Sequence, residues 1–331
     1  MNPKWIFWNG EEERVRAGWR MLLQLVMLVA LLWVGQFALD RLLAAFIPNP
    51  TNAGVATIEV ASFAVQLLSQ VTIVASVWLA GRWLDRRPFR DFGFHFNSRW
   101  WGDFAFGLAL GAALMAAVFL VEWAAGWVEV TGFFVTHEGG LPFLPGIALP
   151  LIGYVAVGIA EEVWTRGYIL TNLAESFNGR RLGSAAAIAI ATVIQGAVFG
   201  LLHAGNPNAT VVSTFDLFLA AFLLALGYIL TGELAIPIGL HITWNFVQGN
   251  VFGFPVSGGR YSVGTFIRVE QAGPALWTGG PFGPEAGLIG IGALLLGCVS
   301  ILLWVRLRDG SVTLAKEIAQ PPHSPRTEEL G

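Results

Sequence analysis

The sequence predicts an all-α, polytopic membrane protein of about eight transmembrane helices. Of its 331 residues 55% are hydrophobic and 12% charged, and the mean hydropathy of +0.64 lies outside the range of soluble globular chains. Apolar runs of about the 20 residues needed for one crossing recur along the chain. Lys and Arg gather in alternate connections between those runs, as the positive-inside rule requires.

Residues 1–20 are polar and of mixed charge, with Trp5, Trp8 and Trp19 interleaved, and read as a cytoplasmic or interfacial segment. The first apolar run begins after Arg20 and outlasts a signal-peptide core, so it is expected to remain as a helix. Runs follow at 21–46, 56–81, 103–127, 147–172, 184–204, 211–230, 234–252 and 286–305. Arg14, Arg16 and Arg20 precede the first. Arg82, Arg86, Arg87, Arg90 and Arg99 separate the second and third, Arg180 and Arg181 the fourth and fifth, and Arg306, Arg308 and Lys316 follow the eighth. This places both termini in the cytoplasm; only Arg260 and Arg268 in the connection before the last run depart from the rule.

The eight runs make one transmembrane domain, 21–308, and the motifs that carry its chemistry, taken up below, fall at about 145–252. The long Gly- and Pro-rich connection 253–285 reads as a folded external loop whose only chemistry-bearing residues are Ser257 and Glu285. Residues 309–331, with Pro321, Pro322 and Pro325, read as a disordered cytoplasmic tail. A net charge of −3 without a basic stripe gives no footprint for nucleic acid. The single cysteine, Cys298, excludes a disulfide framework and a Cys-ligated metal site. Glu59, Glu122 and Asp216 lie near predicted helix ends, where snorkelling makes a charge inexpensive.

Within the fourth run, GIAEEVWTRGYIL puts Glu161, Glu162 and Arg166 in mid-membrane, where each charge costs about 2.5–3.5 kcal/mol on insertion scales. Glu162 and Arg166 are four apart and share a helix face, so they pair; Glu161 is turned about 100° away and seeks partners on other helices. Two histidines lie in apolar runs. His203 ends the fifth, one turn after Phe199, and His241 lies in the seventh, one turn before Asn245 on the same face. A shielded carboxylate with imidazole and amide donors suits addition of water to a carbonyl: the carboxylate acts as general base, the donors hold the oxyanion. The chain lacks HExxH, GxSG and GxGD, which disfavours zincin, serine and aspartyl intramembrane proteolysis.

These residues resemble the CAAX-prenyl-protease and bacteriocin-processing (CPBP, or Abi) family of intramembrane proteases. Its EExxxR, FxxxH and HxxxN motifs are matched in order by Glu161–Arg166, Phe199–His203 and His241–Asn245, and the TGGPFGPE stretch is similar to bacterial members. The resemblance implies that Glu161 activates water, His203 assists, His241 and Asn245 stabilise the oxyanion, and Arg166 supports the fourth helix. It implies an endopeptidase of membrane-associated proteins or peptides in a prokaryotic plasma membrane, with no required cofactor. The alternatives are a metal-dependent version, with a divalent ion on Glu161, His203 and His241, and a non-catalytic membrane immunity or binding protein. One mismatch stands out: counted from the cytoplasmic helix ends, Glu161 and Asn245 lie about 15 Å deep and His203 about 30 Å. It calls for a tilted or late-starting fifth helix, or a polar AGNPN hairpin that turns inside the protein.

Overall fold

The computed structural model describes residues 4–322, apart from 11, 180, 261 and 262. Its long helices are α1 (Ala17–Phe46), α2 (Val55–Asp85), α3 (Ser98–Ala124), α4 (Phe143–Phe177), α5 (Gly183–Leu202), α6 (Val211–Thr231), α7 (Ala235–Phe246, continued by a π-helical turn over Val247–Val251) and α8 (Leu288–Asp309). Four short strands, β1 (Trp8–Asn9), β2 (Arg14–Val15), β3 (Val128–Thr136) and β4 (Gly264–Gln271), form two antiparallel ribbons. This is the all-α membrane architecture that the composition predicts.

Seven of these helices are long and apolar enough to cross a bilayer, one fewer than expected. The seventh run is shorter because it is a core element: α7 is packed by α3, α4 and α6, and every residue from Ala235 to Ile242 is buried. Small residues allow the close approach. A Cβ on Gly107 or Gly111 of α3 would collide with the carbonyls of Ile236 or Leu240, and one on Gly158 of α4 would lie 2.7 Å from Ile242. At the other extreme, the buried residues of α1 are Ala17, Arg20, Gln24 and Leu28, all in its first half. The rest of α1 presents its apolar side chains outward, as a lipid-facing helix does.

The segments before α1 and after α8 pack at the ends of α2, α4 and α6 on one side of the bundle. Here Arg14 and Arg20 are buried, unlike the surface topology markers expected from sequence. Glu175 near the end of α4 receives Arg14 at 2.6 Å, Arg20 at 2.9 Å and Arg87, while Arg20 also meets Asp85 at 2.9 Å. With Glu12, 2.7 Å from Arg14, the three carboxylates balance the three arginines where the β1–β2 ribbon packs on this end. Residues 310–322 are also packed: Ala315 N–H donates to the Ile229 carbonyl at 2.8 Å, and Ile318 and Ala319 are buried in the core. Any disordered tail therefore starts later than 309. Its remainder, 323–331, and Arg180 lie outside the described residues.

The opposite side carries the β3–β4 ribbon, which pairs Val128 with Gln271 through to Thr136 with Gly264. The connection before α8 thus contains the eight-residue strand β4, and Phe282, Pro284, Glu285 and Ala286 after it are buried. That layer explains two more departures. Glu122 and Asp216 are buried and do not snorkel: Gln271 donates to Glu122 at 2.7 Å, and Phe282 and Ala286 cover the start of α6 at Leu217. Glu59 accepts from the Leu141 N–H at 2.8 Å and bonds His137 at 2.8 Å, tying α2 to the start of α4.

Candidate active site

The EExxxR segment sits at a change of helix type. α4 is α-helical to Glu162 and π-helical over Val163–Leu170. Such wide turns concentrate at functional sites because they re-aim side chains. Glu162 and Arg166 are both fully buried, and Arg166 Nη1 donates to Glu162 Oε1 at 3.0 Å. The same Nη1 donates to Thr165 Oγ1 at 2.9 Å and Nη2 to the Ala221 carbonyl at 3.3 Å, while Thr165 Oγ1 donates to the Glu161 carbonyl. Glu161 itself remains 25% exposed and lines a cavity.

His241 binds both glutamates. Its Nδ1 donates to Glu162 Oε1 at 2.8 Å, and its Nε2 is 3.9 Å from Glu161 Oε2. The Nδ1 bond fixes the ring orientation, so Nε2 is the nitrogen on the Glu161 side. Asn245, one turn on, lines the same cavity. Phe199 of α5 links the two remaining pieces. Its ring lies 4.6 Å from the Arg166 guanidinium and 4.7 Å from the His203 ring. His203 Nδ1 meets the Phe199 carbonyl at 2.8 Å; a carbonyl only accepts, so Nδ1 carries the proton and Nε2 is free to accept.

A family model described as "Type II CAAX prenyl endopeptidase Rce1-like" matches residues 143–247. Residues 143–247 are thus similar to that family. Over a longer stretch the chain is 25% identical to "Uncharacterized protein YyaK" of Bacillus subtilis (strain 168), across 284 residues that make up 78% of this chain and 91% of that protein. No solved structure matches.

The Rce1-like core contains every candidate residue read from the sequence: Glu161, Glu162, Arg166, Phe199, His203, His241 and Asn245. Glu161, Phe199, His203, His241 and Asn245 line one cavity of about 360 Å³, walled on the α2 side by Gln66 and Gln70. The expected depth mismatch dissolves in the helix ends. α4 runs to Phe177, sixteen residues past Glu161 or about 24 Å, against about 30 Å for His203 along α5. The start of α7 is itself buried, where Leu234 N–H donates to the Gly93 carbonyl at 3.1 Å, so its end marks no membrane surface.

Two relationships go beyond what the sequence spacing shows. Glu162 was read as the partner of Arg166 alone, yet it also orients His241, 79 residues away. Glu285 and Ser257 of the last connection line a smaller apolar chamber of about 50 Å³ that shares Phe199, His203, His241 and Asn245 with the main cavity. Both fall beyond the Rce1-like core. As for a metal, Glu161, His203 and His241 share the cavity, but the described residues contain no group of three His, Cys, Asp or Glu close enough to hold an ion.

Proposed function

We infer that this chain is an intramembrane endopeptidase that hydrolyses a peptide bond of a membrane-associated protein or peptide with water activated by Glu161. The observation that carries this reading is the division of labour between the two adjacent glutamates. Glu162 is sealed between Arg166 and His241, while Glu161 faces a cavity shared with His203, His241 and Asn245.

In this mechanism a water between Glu161 and the scissile carbonyl gives a proton to the carboxylate as its oxygen bonds the carbonyl carbon. The carbonyl π electrons move to oxygen, and the oxyanion is held by the Asn245 amide N–H and by His241 Nε2–H, which requires His241 to carry a proton on both nitrogens because its Nδ1–H is given to Glu162; such donors are worth about 3 kcal/mol each. The intermediate collapses by breaking the C–N bond, and the proton taken from water passes to the departing amine. His203, whose Nδ1–H is given to the Phe199 carbonyl, assists that transfer through Nε2. Of the three roles, the carboxylate's is the one without a substitute.

Termini in the cytoplasm fit the distribution of Arg and Lys, and a prokaryotic plasma membrane fits the similarity to a Bacillus subtilis protein. The experiment is comparative proteomics of cells carrying the wild-type protein or Glu161→Gln. Membrane proteins that accumulate uncleaved with the variant are the expected result; identical proteomes would contradict the reading.

A further inference from the structure

The last connection reaches the site through a buried acid. Glu285 is 6% exposed and lies in the apolar chamber with His203, His241 and Asn245. Its Oε1 accepts the Ser257 N–H. Ser257 is in turn gripped from the end of α5: Asn206 Nδ2 donates to the Ser257 carbonyl at 2.9 Å, and Asn208 Nδ2 to the Gly258 carbonyl at 2.9 Å. Gly258 N–H donates to the Phe282 carbonyl at 2.8 Å, three residues before Glu285.

Two glycines make this interlock tight. Gly258 has φ +85°, and a Cβ there would strike the Pro207 carbonyl; Gly283 has φ +112°, and its Cβ would strike that of Pro255. The hairpin after His203, the roof at 254–258 and the loop carrying Glu285 therefore form one unit. A buried carboxylate is costly unless its charge is used or neutralised. Burial pushes the Glu285 carboxyl up, and the Ser257 hydrogen bonds and the His203 charge act against this. His203 lines the same chamber, and its charge, when the ring is protonated, favours the ionised acid.

We propose that Glu285 is a positioning residue for the hydrolysis: its carboxylate fixes the roof over the site through Ser257 and supplies the counter-charge that His203 needs when it carries a proton. This rests on the reading of the site as a peptidase. A second carboxylate outside the EExxxR helix would explain why the connection before α8 buries a Glu beside the apolar wall of Leu217, Leu224 and Leu240.

The test uses full-length purified protein and an internally quenched peptide spanning a cleavage junction found by the proteomic comparison. Glu285→Gln keeps an oxygen to accept the Ser257 N–H and removes the charge; Glu285→Ala removes both. Expected for Glu285→Gln is a kcat lower by about 10- to 100-fold, as for lost orienting partners elsewhere, with KM and melting temperature unchanged. Glu285→Ala is expected to lose kcat and melting temperature together. A Glu285→Gln enzyme within twofold of wild-type kcat would overturn the proposal, leaving Glu285 a roof clamp only, and so would a change confined to KM. If wild type and Glu161→Gln yield identical proteomes, the peptidase reading itself has failed, which is a separate outcome.

Discussion

Glu162 Oε1 accepts from His241 Nδ1 at 2.8 Å and from Arg166 Nη1 at 3.0 Å, so a single carboxylate oxygen joins α4 to α7. Through it, the cation that neutralises the buried acid is coupled to the imidazole that faces the cavity. The EExxxR and HxxxN motifs are therefore one structure, and their residues should not tolerate change independently.

Glu162→Gln leaves Arg166 buried without its counter-charge. Breaking a buried pair from one side costs about 3–5 kcal/mol. Thermal melting in detergent should show a marked loss of stability, and cleavage should fall with it. Unchanged melting would refute the pairing. Arg166→Leu is expected to destabilise for the mirror reason.

Phe199→Leu keeps an apolar side chain and removes the aromatic face that Arg166 and His203 share. A desolvated cation–π contact is worth about 2 kcal/mol. Peptide cleavage by this variant should drop by roughly tenfold or more, with a smaller loss of stability than for Glu162→Gln. Wild-type turnover would show that the ring positions nothing.

Gly258→Ala places a side chain on a left-handed residue and against the Pro207 carbonyl. The roof and the hairpin after His203 must then separate. Activity should be lost while the helices, which do not depend on this contact, retain their circular-dichroism signal. Full activity would contradict the interlock.

Much of this was legible in the sequence for physical reasons. Spanning helices advertise themselves because every residue facing lipid must be apolar, and Glu162–Arg166 could be paired from i,i+4 spacing because both lie on one helix. What escaped depends on three-dimensional crossings. Nothing in the spacing shows that Glu162 reaches His241, because that contact needs α4 and α7 to touch at Gly158 and Ile242. The roles of Glu122 and Glu285 were hidden for a related cause: proximity to a predicted helix end says the residue is near an interface, but not that a ribbon or loop folds back over it. The shortness of α7 follows from the same blindness, since a run of apolar residues does not distinguish a spanning helix from one buried on all sides.

Exhaustive chelation should leave cleavage intact, because the proposed reaction uses a carboxylate base and no ion. Loss of activity on chelation, restored by a stoichiometric divalent metal, would favour the metal-dependent alternative.

The central claim is that Glu161 carries the chemistry and Glu162 the structure. The most direct test measures cleavage and melting temperature together for purified Glu161→Gln. Cleavage should be abolished with the melting temperature unchanged, because Glu161 faces the cavity and its 3.9 Å approach to His241 Nε2 is long beside the 2.8 and 3.0 Å bonds that hold Glu162. A well-folded Glu161→Gln protein that still cleaves its peptide would contradict the account.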